Sequence, residues 1–425
     1  MIKPLKTSVL LLVFFMVTAL VCAQNPATTP IQHVVIIVKE NRSFDHMFGR
    51  FPSANGAVTG LADTRVVPLK NAPDAIPVDL GHEHSQSTIA VNRGEMDSFH
   101  LIQNCKNLTC YQQFNSTTIP NYWAYAQNYL LADNFFSSLS GASFPNHQYV
   151  IAAQSGGVFS NPDKANAHWG CDAPAGAVVH GIDPVSHKAF STFPCFDYTT
   201  LGDSLDNAAV SWKYYAPPEG KSGYQWSAYD AIQHIRRGTD WKRNVLATGE
   251  FVADAKAGRL PAVSWIVPEG VDSEHPTAKM SVGESWTVRQ VNAVMQGPNW
   301  SSTAIFIVWD DFGGFYDHVP PPPAGDEYGY GIRVPLLIVS PFVKPGTIYH
   351  KQASFESVVA FVEANWRLPF LTQRDTAANN LLDAFKFGVN GAAAAPVLVL
   401  RERKVHLTPQ EHQREEAVIQ DDVDD

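Results

Sequence analysis

Short apolar runs, each followed by polar or turn-forming residues, recur along the chain. Residues 34–38 are all β-branched, and the run ends just before the oxygen-rich pair Glu40-Asn41. A continuous β-branched run is typical of a strand that is covered on both faces. Similar strand-sized runs lie at residues 210–215, 262–267, 304–309 and 335–339.

Helix-like segments lie between several of these predicted strands. Residues 354–366 carry one apolar stripe behind Ser354, which is a favourable N-cap. Strands that alternate with helices predict an α/β fold with a largely parallel sheet. Residues 156–177 and the four prolines at 320–323 are rich in turn formers and predict long irregular loops.

Two oxygen-rich pairs stand at predicted strand ends, where ligands gather in open α/β sheets. Glu40-Asn41 follows the first strand, and Asp310-Asp311 follows the run at residues 304–309. Adjacent carboxylates repel each other unless a cation or a buried proton lies between them. Oxygen ligands suit a hard cation, although Zn²⁺ and Mn²⁺ also accept carboxylates. The pairs predict one divalent metal ion, with Ca, Mg, Mn and Zn as the open choices.

Ser143 is the candidate nucleophile. Gly141 and Pro145 bracket it and favour a turn, and an apolar segment at residues 149–153 predicts the start of a helix. The nucleophile-elbow pattern G-x-S-x-G is not met because Pro145 replaces the second glycine, which argues against a serine esterase of the α/β-hydrolase type. Loop histidines that can transfer protons near neutral pH are candidate partners of this serine: His82, His84, His275 and His318.

Composition narrows the class of protein. The chain has 425 residues, 45% of them hydrophobic and 17% charged, which predicts a globular protein with a large core in one elaborate domain. The net charge of -10 without a basic stripe argues against broad nucleic-acid binding.

The N-terminus has the pattern of a secretory signal peptide. Lys3 and Lys6 precede an apolar run that is too short for a transmembrane helix, and cleavage before Gln24 is expected. A lipoprotein anchor on Cys22 is the alternative, disfavoured by the bulky Val21. We therefore expect a secreted or periplasmic protein whose mature chain has no transmembrane segment. The predicted divisions are a signal peptide at 1–23, a linker at 24–31, a catalytic domain at 32–400 and a charged tail at 401–425.

Four cysteines remain after removal of the signal peptide, namely Cys105, Cys110, Cys171 and Cys195. An even count in an exported chain favours two disulfides, and four cysteines allow three pairings. The local pairs, 105 with 110 and 171 with 195, close the shortest loops and are favoured. A zinc site is a poorer alternative, because the spacing of two residues and the matching histidines are missing.

Six sequence blocks resemble one known family, the phosphoesterases that include bacterial phospholipases C and a bacterial acid phosphatase, in the alkaline-phosphatase-like superfamily. The blocks are HVVIIVKENRSFDHMFGRFP, SGASFPNHQYVIAAQSGG, TLGDSLDNAAVSWKYYAP, SWIVPEGVDSEHP, IFIVWDDFGGFYDHVPPP and YGIRVPLLIVSPFV. The resemblance implies a three-layer α/β/α sandwich with a mostly parallel central sheet. It implies the following site residues: metal ligands Glu40, Asn41, Asp310, Asp311 and Ser143; catalytic residues Ser143, His82, His275 and His318; substrate-binding residues Asn146, His147 and His84.

The function expected from the residues and the resemblance is that of a secreted, metal-dependent, phospholipase C-like hydrolase of phosphoric esters. Ser143 would form a phosphoseryl intermediate on a phosphomonoester or phosphodiester, phospholipids included. An acid phosphatase and a non-catalytic, secreted, metal-dependent binding protein are the alternatives. A sulfatase is disfavoured because His147 stands where the sulfatase signature has arginine. A choline-binding cage could be formed by aromatic residues, namely Trp123, Tyr125, Trp212 and Tyr214.

Overall fold

The computed structural model describes residues 25–324, 328–388, 395–405 and 409. The predicted signal peptide lies outside the described residues, and so does the tail apart from residues 401–405 and 409. The predicted linker packs onto the body of the protein, since the backbone N–H of Thr28 donates to the carbonyl of Asn365 at 2.7 Å.

The elements of the described chain have the following bounds. The strands are β1 (His33–Lys39), β2 (Thr59–Ala62), β3 (Arg65–Pro68), β4 (Lys70–Asn71), β5 (Gln112–Gln113), β6 (Leu130–Ala132), β7 (Phe135–Phe136), β8 (Val179–Ile182), β9 (Ala189–Thr192), β10 (Trp212–Ala216), β11 (Val245–Ala247), β12 (Val263–Ile266), β13 (Thr303–Trp309), β14 (Leu336–Val339), β15 (Thr347–Tyr349) and β16 (Ala353–Ser354). The α-helices are α1 (Phe44–Phe48), α2 (His84–Val91), α3 (Pro120–Asn128), α4 (Ser143–Ala152), α5 (Leu201–Asn207), α6 (Gln233–Arg236), α7 (Thr239–Asn244), α8 (Glu250–Lys256), α9 (Met280–Met295), α10 (Phe355–Trp366) and α11 (Gln373–Ala377).

Eight strands form the central sheet, in the order β11-β10-β12-β1-β13-β14-β6-β15. Only β14 runs antiparallel to its neighbours, so the predicted mostly parallel sheet is confirmed. Phe306 and Trp309 of β13 point to opposite faces because they are an odd number of residues apart. Phe306 contacts Phe361 of α10, and Trp309 contacts Tyr122 of α3. Helices therefore cover both faces, as in an α/β/α sandwich.

The disulfides and the helix after Ser143 both have local causes in the sequence. The disulfides Cys105–Cys110 and Cys171–Cys195 are present, which confirms the favoured pairing. The helix after the candidate nucleophile begins at Ser143 itself, earlier than the apolar segment indicates. Pro145 does not prevent this, because the first turn of a helix needs no backbone N–H donor at that position.

Candidate active site

The register of the two central strands brings the oxygen-rich pairs together. Lys39 of β1 lies beside Trp309 of β13, so the residues that follow them leave the sheet side by side. The backbone N–H of Asn41 donates to Asp310 Oδ1 at 2.8 Å. The backbone N–H of Arg42 donates to the carbonyl of Asp311 at 2.9 Å. These bonds lock Glu40-Asn41 against Asp310-Asp311.

Gly313 permits this close approach. Its φ is +59°, and a Cβ atom there would lie 2.4 Å from the carbonyl oxygen of Asn41. Asn41 has a φ of 58°, in the left-handed region that asparagine tolerates better than most residues. The turn after β13 therefore depends on the glycine that follows Asp311-Phe312.

Ser143 is the first residue of α4, and its Oγ lies 3.5 Å from Asp311 Oδ2. Asn146 holds the loop before it: its Oδ1 accepts from the backbone N–H of Leu139 at 3.1 Å, and its Nδ2 donates to the carbonyl of Ala142 at 3.1 Å. The amide of Asn146 is thus bound to the chain's own backbone. Its predicted role in substrate binding stays a prediction.

His147 lies one helical turn after Ser143 and faces the same two strand ends. Its Nε2 lies 2.9 Å from Glu40 Oε1 and 3.9 Å from Asp310 Oδ2. Burial lowers the pKa of His147 to about 4, although the charge of Asp310 acts in the opposite direction. The spacing of four residues from Ser143 is a sequence signal for this shared face.

Carboxylates crowd this buried site. Burial raises the pKa of Glu40 and of Asp311 well above the ordinary range, and the charge of neighbouring Asp310 raises both further. Three buried oxygens have no hydrogen-bond partner: Glu40 Oε2, Asn41 Oδ1 and Asp310 Oδ2. Among the described residues, no Lys or Arg forms an ion pair with these carboxylates. A divalent cation would relieve the repulsion and bind the unpartnered oxygens, so this donor set fits a metal ion.

Ser143 lies on the wall of a cleft. The rings of His82 and His275 lie 5.9 Å apart on its wall, and Trp226 stacks on His275 at 6.0 Å. Burial lowers the pKa of His82, but the nearby carboxylates of Asp311 and Asp79 outweigh this and raise it well above the ordinary value. Among the described residues, the cleft is lined by no Lys or Arg; its wall is formed by Ser143, His82, His275, Asp79, Glu83, Gln103, Asn104, Asn161, Trp169, Gln225, Trp226 and two residues of the 79–83 loop.

His84 and His318 do not line the cleft. His84 Nδ1 hydrogen-bonds to the carbonyl of Ser140, in the loop that precedes Ser143. His318 Nδ1 lies 2.7 Å from Asp45 Oδ2, in a second cluster where the buried Arg333 donates to Asp317 at 2.9 Å. Their predicted substrate-binding and catalytic roles stay predictions.

The predicted aromatic cage is wrong. Its four members are core residues of the folded chain and contribute nothing to the cleft wall: Trp123, Tyr125, Trp212 and Tyr214. Trp169 and Trp226 line the cleft instead. Sequence reasoning also missed Asp79, which precedes His82 by three residues. The position of this carboxylate close to a loop histidine could have identified it. No sequence feature indicated that Trp169 and Trp226 line the cleft.

The chain is similar to several known proteins. The family model described as the phosphoesterase family matches residues 31–369. Phospholipase C A of Mycobacterium tuberculosis is 26% identical over 435 residues, covering 87% of this chain and 80% of that protein. Hemolytic phospholipase C of Pseudomonas aeruginosa is 28% identical over 400 residues, covering 78% of this chain and 52% of that protein. A solved protein of the alkaline phosphatase superfamily from Vibrio parahaemolyticus superposes with a TM-score of 0.39 at 11% identity, covering 84% of this chain and 72% of that chain.

The family match includes both oxygen-rich pairs, Ser143 and the histidines of the cleft. The predicted resemblance is thereby confirmed, and the chain is a hydrolase that acts on phosphoric ester bonds. It belongs to the phosphoesterase family.

Proposed function

We propose that this chain is an exported, metal-dependent, phospholipase C-like enzyme that works through a phosphoseryl intermediate. The observation that carries the proposal is the position of Ser143. Its Oγ lies 3.5 Å from Asp311 Oδ2, at the edge of the carboxylate cluster and on the wall of the cleft. A non-catalytic binding protein would have no need of a nucleophile on the wall of the cleft.

Glu40, Asn41, Asp310, Asp311 and Ser143 would hold the cation. A divalent cation there would supply charge that lowers the pKa of a bound hydroxyl and neutralises a phosphoryl oxygen. Ser143 Oγ forms a bond to phosphorus while the bond from phosphorus to the leaving oxygen breaks. Asp311 Oδ2, 3.5 Å from Ser143 Oγ, can accept the serine proton.

His82 and His275 face the phosphoryl group from the cleft wall. A protonated His82 is favoured by Asp311 and Asp79, which raise its pKa, so it can donate to a phosphoryl oxygen or give a proton to the leaving alkoxide. Water then attacks phosphorus while the bond from phosphorus to Ser143 Oγ breaks. The serine oxygen takes back the proton held by Asp311, and a proton of the water passes to His82, which completes the hydrolysis.

The cleft wall supports an organic substituent on the phosphate. Trp169 and Trp226 offer aromatic surface, while Asp79 and Glu83 bring negative charge. This combination favours a substrate with an apolar or cationic group over a compact phosphate dianion. The cleft wall therefore favours phospholipase C-type cleavage over the acid phosphatase alternative.

Export is supported by the two disulfides, which persist in oxidising compartments. No helix among the described residues is long and apolar enough to cross a bilayer. The lysine-flanked apolar N-terminus agrees with export to the periplasm or the medium.

A substrate panel tests the proposal. Wild-type protein, Ser143→Ala and the exposed control Ser301→Ala are assayed on phosphatidylcholine and on a simple aryl phosphate, with metal removed and restored. We expect metal-dependent release of phosphocholine by the wild type and the control, a loss of at least about 10³-fold in Ser143→Ala, and a phosphorylated Ser143 peptide after acid quenching. Cleavage of the aryl ester alone would identify a phosphatase, and metal-dependent binding without turnover would identify the binding protein.

A further inference from the structure

We propose that His147 is itself a metal ligand, and that its nitrogen makes the site select Zn²⁺-like transition metals over Ca²⁺, Mg²⁺ and Mn²⁺. This assignment rests on the metal dependence proposed above. It adds a residue that the oxygen-only ligand set lacks, and it narrows the choice of cation.

Helix geometry directs His147 to the site. Residues four apart lie on the same face of a helix, so His147 follows Ser143 along the side of α4 that faces β1 and β13. Its Nε2 lies 2.9 Å from Glu40 Oε1 and 3.9 Å from Asp310 Oδ2. One donor atom from each of these three residues falls in a group that spans no more than 4.8 Å.

These separations suit ligands of a single ion. Two ligands with metal bonds of about 2.1 Å lie roughly 3.0 to 3.5 Å apart in octahedral or tetrahedral sites. The two distances from Nε2 lie on either side of this range, so small side-chain shifts would complete the coordination.

His147 could be a metal ligand, or it could only orient Glu40 through a hydrogen bond. The unpartnered oxygens distinguish these two roles. A hydrogen bond from His147 satisfies Glu40 Oε1 alone. Glu40 Oε2 and Asp310 Oδ2 stay buried without a partner. Both carboxylate residues have no exposed surface, and His147 is 2% exposed, so bulk water does not solvate the group. A cation among the three residues would bind all of these atoms.

The nitrogen donor changes metal preference. Carboxylate and amide oxygens alone favour Ca²⁺, Mg²⁺ or Mn²⁺, whereas imidazole favours Zn²⁺ and its neighbours in the first transition row. Replacement of the imidazole by an amide should therefore weaken Zn²⁺ much more than Ca²⁺.

Metal binding by the full-length protein tests the assignment without an activity readout. Metal-stripped wild type, His147→Gln, His147→Asn and the control His100→Gln are titrated with Zn²⁺ and with Ca²⁺ by calorimetry, after thermal unfolding has shown that each is folded. We expect Zn²⁺ affinity to fall by more than about 100-fold in both His147 variants while Ca²⁺ affinity changes less than about threefold. The control pairs with Asp63 outside the site and should match the wild type.

X-ray absorption of the Zn²⁺-loaded protein provides a second readout, and its wild-type spectrum tests the assignment even where a variant fails to fold. Imidazole scattering is expected in the wild type and should be lost or reduced in His147→Gln. Absence of imidazole scattering in the wild type, an unchanged signal in the variant, or an equal fall in Zn²⁺ and Ca²⁺ affinity would overturn the assignment alone. Failure of the wild type to bind any divalent cation would instead overturn the proposed metal dependence.

Discussion

The backbone N–H of Asn41 donates to Asp310 Oδ1 at 2.8 Å, joining residues that lie 269 positions apart in the sequence. Both follow adjacent parallel strands, and the bond forms where those strands end. It uses one oxygen of Asp310 and leaves Oδ2 unpartnered and buried. The fold thus holds a carboxylate in place while keeping one oxygen available to a ligand.

Asp310→Asn should remove the negative charge of this side chain while keeping its hydrogen bond to the backbone of Asn41. The new amide oxygen can still accept from Asn41, but one of the mutually repelling charges is gone, so the metal-free variant should melt at the same temperature as the wild type or higher. The stabilisation by added metal, about 2.7 kcal/mol at 100 times the Kd, should be lost. Calorimetric melting with and without a chelator measures both, with Asp240→Asn, which removes a carboxylate bonded to Arg243, as the control. A large loss of stability in the metal-free state would contradict the repulsion.

The pH dependence of stability should be unusual in the metal-free protein. The raised pKa values of Glu40 and Asp311 mean that the folded state binds more protons than the unfolded state, so these groups lower stability as pH rises above their ordinary values. Burial lowers the pKa of His147, so below its ordinary pKa of 6.5 this residue makes stability increase as the pH rises. Above pH 6.5 it has little effect. As the pH is lowered from about 8 to about 6.5, we expect the melting temperature of the metal-stripped protein to rise. Bound cation should make this dependence on pH weaker. If added cation leaves the slope of melting temperature against pH unchanged, groups outside this site cause the pH dependence.

Gly313→Ala should distort the site. Alanine at this positive φ is strained, and its Cβ would collide with the carbonyl of Asn41 at 2.4 Å. Gly329 has a similar φ of +64° with nothing within 4 Å, so Gly329→Ala carries the backbone strain without the collision. We expect Gly313→Ala to lose about 1 to 3 kcal/mol more unfolding free energy than the control, together with metal affinity. If denaturant titrations gave equal losses of unfolding free energy in the two variants, the contact between residue 313 and the carbonyl of Asn41 would not be tight.

His318→Ala should affect stability more than turnover. His318 binds the buried Asp45 at 2.7 Å and does not line the cleft. His82→Ala removes an imidazole that lines the cleft and should lower kcat by about 10² to 10⁴-fold, while His318→Ala should lower it less than tenfold and reduce the melting temperature. A comparable fall of kcat in both variants would support the catalytic role that the sequence predicts for His318.

Much of the local structure was predictable because its causes are local. The β-branched run before Glu40 became β1, and Ser354 precedes α10 with its backbone N–H bonded to Ser357 Oγ at 3.1 Å. The disulfides also followed from short spacing. Carboxylates directly after an apolar run identified Asp310-Asp311, since such a pair needs a partner wherever the fold places it.

Strand order, register and side-chain direction were decided only by the tertiary structure. The neighbours of β1 are β12 and β13, and the pairing of Lys39 with Trp309 places one oxygen-rich pair beside the other. The same packing joins His147 to Glu40, takes His318 to Asp45 and brings Trp226 to the cleft. An apolar run specifies a buried strand but not its neighbour, because any strand with two buried faces satisfies the same pattern. The sequence by itself therefore indicated most of the candidate residues, and the packing of distant elements decided which of them meet.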